Sequence, residues 1–101
     1  MPRIYVDERG IVLEFWTNVD LSLLINVKAY VRKPSGKTEV WNLSVDSNNS
    51  HIAYYVVTGD EFDEEGVYKV QLIGEGQNVM YQSKVLTLYV DNGVKVRSGV
   101  V

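Results

Sequence analysis

Apolar and polar residues alternate with a period of two along most of the chain, and no stretch shows the 3.6-residue period of an amphipathic helix. The clearest run is Ile25-Asn26-Val27-Lys28-Ala29-Tyr30-Val31-Arg32. Its apolar set is Ile25, Val27, Ala29 and Val31; Asn26, Lys28, Tyr30 and Arg32 point the other way. Such a segment is a strand with one face in a core and one in water. Ile11, Leu13 and Phe15 alternate in the same manner with Val12, Glu14 and Trp16. The pattern predicts an opening strand over 3–7 and a strand with Trp41, Leu43 and Val45 inward. A further strand has Ile52, Tyr54 and Val56 inward, and another, over 67–73, has Tyr68, Val70 and Leu72 on one face. A last long strand runs over 79–90, its register interrupted at Gln82-Ser83-Lys84 as a bulge would do.

Turn chemistry separates these runs. Lys33-Pro34-Ser35-Gly36 has proline where a turn needs a fixed φ and glycine where it closes. Asp46-Ser47-Asn48-Asn49-Ser50 is a polar loop, Thr58 to Glu65 is an acidic one, and Gly74-Glu75-Gly76-Gln77-Asn78 closes a hairpin. Short strands with turn signals at this spacing predict an all-β fold, an immunoglobulin-like antiparallel β-sandwich of about seven strands. Asp63-Glu64-Glu65-Gly66-Val67-Tyr68 reads as a corner in which Tyr68 hydrogen-bonds back into the preceding loop, with Asp63 and Gly66 shaping the turn. Val70 then stands where an antibody domain carries its second cysteine, so an apolar contact replaces the disulfide. The domain spans residues 1–93. The tail 94–101 alternates as Val94-Lys95-Val96-Arg97 and is either a contact for a neighbouring subunit or a frayed end.

A length of 101 residues with 46% hydrophobic and 23% charged residues suits one globular domain able to bury a core without staples. The absence of cysteine rules out a disulfide framework and thiolate metal sites. The net charge of −3 argues against a nucleic-acid partner. Lys28, Arg32, Lys33 and Lys37 cluster around one turn and read as a solvated hairpin tip. No apolar run is long enough for a membrane helix, and Met-Pro-Arg-Ile-Tyr has no signal-peptide core. The expectation is synthesis and folding in a cytoplasm, with no membrane partner.

Candidate chemistry is sparse. His51 is the one histidine and sits at a strand start beside a polar loop; with no cysteine, nucleophilic catalysis has little to work with. The run Asp60-Glu61-Phe62-Asp63-Glu64-Glu65 is the strongest calcium candidate; its other reading is a solvated loop with Phe62 tucked into the core. The expectation is a protein that is not an enzyme and uses no cofactor or metal. By strand parity Trp16, Tyr30 and Tyr55 face outward. They are candidates for an interaction surface, either a protein contact or a sugar-stacking platform.

Three segments carry a resemblance to a known family. They are Asp20-Leu21-Ser22 leading into Val27-x-Ala29-x-Val31, then Lys33-Pro34-Ser35-Gly36-Lys37-x-Glu39-x-Trp41, then Ile52-x-Tyr54-x-x-x-Thr58-Gly59-Asp60 with Glu65-Gly66-Val67-Tyr68-Lys69-Val70-Gln71-Leu72. In order and spacing the chain resembles small immunoglobulin-like proteins of tailed-phage structural modules, similar to the N-terminal domain of baseplate upper proteins. The resemblance covers most of residues 3–90. It implies a non-enzymatic structural or assembly role in the virion (tail, baseplate, neck or capsid surface), synthesis in a bacterial host, and contacts with other virion proteins or further copies of this chain. The alternative is a module that binds carbohydrate or a host surface.

Overall fold

A computed structural model describes residues 4–92; the tail 94–101 lies outside them. The strands are β1 (Ile4–Tyr5), β2 (Val12–Trp16), β3 (Asn26–Arg32), β4 (Thr38–Asn42), β5 (Ser44–Val45), β6 (Ile52–Val56), β7 (Gly66–Glu75), β8 (Met80–Gln82) and β9 (Leu86–Asp91). They form two sheets. The larger has the order β1-β9-β7-β3-β4 with β8 also on β7, and the smaller has the order β2-β6-β5. All pairings are antiparallel except β1 with β9. The fold is therefore all-β, as the alternation predicts.

The inward sets meet between the sheets. Ala29, Val31, Trp41, Tyr68, Val70 and Leu72 from the larger sheet pack with Phe15 and Val57 from the other side. A second cluster of Leu21, Val27 and Ala53 closes one end. Leu21 belongs to a 3-10 turn, Leu21–Leu23, capped by the Asp20 carboxylate, which accepts from the Ser22 amide and hydroxyl.

Two expected strands are each split in two. The run 38–45 starts in the larger sheet as β4, and at Leu43 it crosses to the smaller sheet as β5. The Leu43 amide still donates to Val27 O at the crossing. The run 79–90 breaks at 83–85. There the Ser83 amide donates to Leu72 O, and the Ser83 hydroxyl accepts the Leu72 amide at 2.9 Å. One serine thus satisfies a β7 backbone pair that would otherwise be orphaned where β8 leaves off and β9 begins.

The inward set of β6 also differs from expectation. Ile52 is buried as expected, but Ala53, Val57 and the half-buried Tyr55 pack into the core, and Val56 is exposed. Consecutive Tyr54 and Tyr55 leave parity undecided by hydrophobicity. The inward choice lets Tyr55 stack on Trp41 across the sheets, at 5.0 Å and 11°.

Candidate functional site

The turn after β3 and the acidic loop before β7 are built into each other. Gly36 has φ +94° and its amide donates to Lys33 O, closing a tight hairpin between β3 and β4. Gly66 has φ +131°, and a Cβ there would lie 2.8 Å from the Pro34 ring, so glycine lets the loop pass the turn. Tyr68, fully buried, donates its hydroxyl to Glu64 O at 2.9 Å and accepts the Glu64 amide at 3.2 Å. The hydrogen bond expected of the corner is in place, and Asp63, Gly66 and Tyr68 all belong to it.

The acidic run does not converge on a point. Glu61, buried, accepts from the Thr58 and Gly59 amides, from the Thr58 hydroxyl and from the Tyr55 hydroxyl. Asp63 reaches Lys33 Nζ at 2.8 Å, and Glu64 accepts the Ser35 amide and hydroxyl. These three carboxylates are each committed to a different target. Among the described residues no group of three or more His, Cys, Asp or Glu side chains is placed to hold a metal ion. Phe62 is fully buried, as the loop's other reading required.

Lys33 is not part of a solvated tip. Its side chain is 3% exposed, and its ammonium lies 2.8 Å from Asp63 and 3.0 Å from Glu39, which also accepts the Trp41 indole N–H. Burial works against the charged ammonium. The hydrogen bonds to Asp63 and Glu39 outweigh it and hold the Lys33 pKa above the ordinary lysine value. The Lys33 hydrogen bond lowers the Asp63 pKa. Burial would raise that of Glu61, but the bonds from Tyr55, Thr58 and Gly59 bring it down. Burial and the Glu61 carboxylate together push the Tyr55 phenol up.

These directions fix a pH dependence. Glu61 and Asp63 have folded values below their ordinary 4.5 and 3.8, so their contribution is present above those values and is lost as pH falls through the folded ones. Lys33 has a raised folded value, so its contribution is complete below 10.5 and is lost only at higher pH. Urea midpoints are expected to be level from about pH 6 to about pH 9 and to fall with acid below about pH 4.5.

The three outward aromatics do not form one platform. Trp16 is 72% exposed on the outer face of the smaller sheet, where its indole N–H donates to Glu14. Tyr30 is 47% exposed on the outer face of the larger sheet, on the other side of the molecule. Tyr55 points between the sheets, against its expected placement, because the stack on Trp41 and the bond to Glu61 hold it there. His51 is exposed just before β6. No helix among the described residues is long and apolar enough to cross a membrane.

The most developed surface is the outer face of the larger sheet. An open concavity of about 690 Å³ lies over β3, β4 and β7, floored by Tyr30, Arg32, Val40, Lys69 and Gln71, with Val85 at its rim. Tyr30, Val40, Val67, Val85 and Tyr89 leave apolar area exposed on this face. Strand twist curves the face, and the parity that buries Val31 and Val70 turns Arg32, Lys69 and Gln71 outward. Of the residues on this face, Tyr30 stands out in the sequence as an outward aromatic and Lys28 and Arg32 as part of a cationic hairpin tip; the alternation in β3 and β7 holds the signal for the rest. No family model and no curated protein matches the chain.

Proposed function

We propose that the chain is an immunoglobulin-like domain serving as a non-enzymatic structural or assembly component of a phage particle, working through protein–protein contacts. Its partners on this reading are other virion proteins or further copies of itself. The observation that carries the reading is the outer face of the larger sheet. Exposed aromatic and aliphatic side chains are gathered around one concavity there, and such patches mark contact surfaces. The segment resemblance supplies the phage context. Two sheets closed around the Trp41, Phe62 and Tyr68 cluster, with the Tyr68 corner, support the immunoglobulin-like assignment. The split of Trp16, Tyr30 and Tyr55 over three environments weighs against a sugar platform built from them.

Mass spectrometry of purified particles tests the role. Stoichiometric copies of the chain are expected in the particle. Their absence, together with a glycan affinity lost on Trp16→Ala, would replace this reading with the carbohydrate-binding one.

A further inference from the structure

The same face carries an electrostatic pattern that the fold does not need. Arg32 and Lys69 stand directly opposite each other across the β3–β7 ladder. Like charges in that position destabilise a sheet. Lys69 Nζ donates to the Thr87 hydroxyl, and the Arg32 guanidinium makes no hydrogen bond or ion pair among the described residues. Lys28 adds a third cation farther along β3. By strand parity, the carboxylates turned to this face are Glu65, Glu75 and Asp91, all at its ends. Each lies two or more alternate positions from the pair, a backbone separation of about 13 Å or more, beyond the screening length of physiological salt. Glu39, at the concavity's edge, is held by Lys33 and Trp41. A chain of net charge −3 thus presents a locally cationic face.

We infer that this concavity receives an acidic segment of a partner protein, with an Asp or Glu side chain seated between Arg32 and Lys69. The guanidinium offers a planar fork to a carboxylate, and the ammonium adds a point charge beside it. The Gln71 side chain lies in the adjacent row; its Nε2 donates to Ser83 O at 2.8 Å, which leaves its carbonyl oxygen to accept a backbone N–H of the segment. Tyr30 and Val40, paired on the floor, and Val85 at the rim offer apolar surface to a neighbouring aliphatic or aromatic side chain of the same segment. That apolar surface favours a peptide over an acidic sugar, which offers few apolar groups to cover it. The inference rests on reading this face as a contact surface and adds the chemistry of what it contacts.

The test is a titration of the isotope-labelled full chain, followed by NMR, with a short peptide alternating glutamate and leucine. A lysine–leucine peptide and a hyaluronate oligosaccharide are the comparison ligands. Shifts are expected on the outer face of β3, β4 and β7 with the acidic peptide alone, and they weaken as salt is raised. Arg32→Gln and Lys69→Gln are each expected to lower the affinity about ten-fold. Their thermal midpoints are expected to equal or exceed that of the parent, since each relieves the like-charge pair. Equal affinity in both variants, shifts centred on Trp16, or tighter binding of the oligosaccharide would overturn the inference. Particle incorporation unaffected by Arg32→Gln would count against this site alone. Peptide binding by a chain absent from particles would remove the virion role and leave the site standing.

Discussion

Phe62→Ala is expected to cost about 4 kcal/mol, a large share of the stability of a domain of this size. Phe62 lies in the middle of the acidic loop yet is fully buried. Its ring meets the Trp41 indole edge-on at 5.6 Å and 89°, and the Tyr68 ring at 5.3 Å and 72°. Truncation removes both contacts and leaves a cavity that two rings hydrogen-bonded elsewhere cannot collapse into: the Trp41 indole is tied to Glu39 and the Tyr68 hydroxyl to Glu64. The loop backbone is tied in as well, because Phe62 O accepts the Asp7 amide at 2.8 Å. A fall in thermal midpoint of roughly 20 °C is expected, with Phe62→Leu recovering much of it. A drop of only a few degrees would mean that the loop is not part of the core.

That loop shows where sequence is a good guide and where it is not. Alternation locates the strands because burying one face is a local requirement, met in Val27, Ala29 and Val31; Ile25, expected inward with them, lies just before β3 and is 77% exposed. The corner was legible for the same reason: the Tyr68 hydroxyl bonds to Glu64, only four positions away. Glu61 is held by Tyr55, Thr58 and Gly59 close by, but what Asp63 and Glu64 do depends on chain that is distant in sequence. Asp63 finds Lys33 thirty residues earlier, and Glu64 finds Ser35 across a similar span. Composition alone cannot separate three divergent anchors from a convergent calcium site. A signal for Lys33 was nonetheless present. It continues the inward series Val27, Ala29, Val31, and Glu39 shares the parity of buried Trp41. A lysine and a glutamate on inward positions of a paired hairpin point to a buried ion pair. The breaks at Leu43 and Ser83 were less accessible, since alternation continues through a strand that changes sheets. The cationic outer face was hidden for another reason: Arg32 and Lys69 become neighbours only through the β3–β7 register.

Neutralising the partners of Lys33 is expected to cost more than removing Lys33 itself. The asymmetry follows from exposure. The Lys33 side chain is 3% exposed, whereas Glu39 and Asp63 are 36% and 51% exposed. In Lys33→Met the two carboxylates rehydrate where they stand and the methionine keeps the apolar stem, so the loss is about 1–2 kcal/mol. In the Glu39→Gln, Asp63→Asn double variant an ammonium stays buried with amide partners only, and the loss is about 3–5 kcal/mol. The triple variant, with Lys33→Met added, is expected to be more stable than the double one, since the stranded charge is gone. The pH profiles separate the cases further. In the parent, Lys33 holds its proton more tightly when folded, so stability does not rise between about pH 7 and about pH 10. In the double variant, burial without a counter-charge depresses the folded pKa of Lys33. The unfolded chain then binds more protons than the folded one, and stability climbs with pH over that window. Urea melts of the four proteins at both ends of the window check the ranking and the slope. A double variant as stable as Lys33→Met, with a flat profile, would show that the Lys33 ammonium reaches water without its partners.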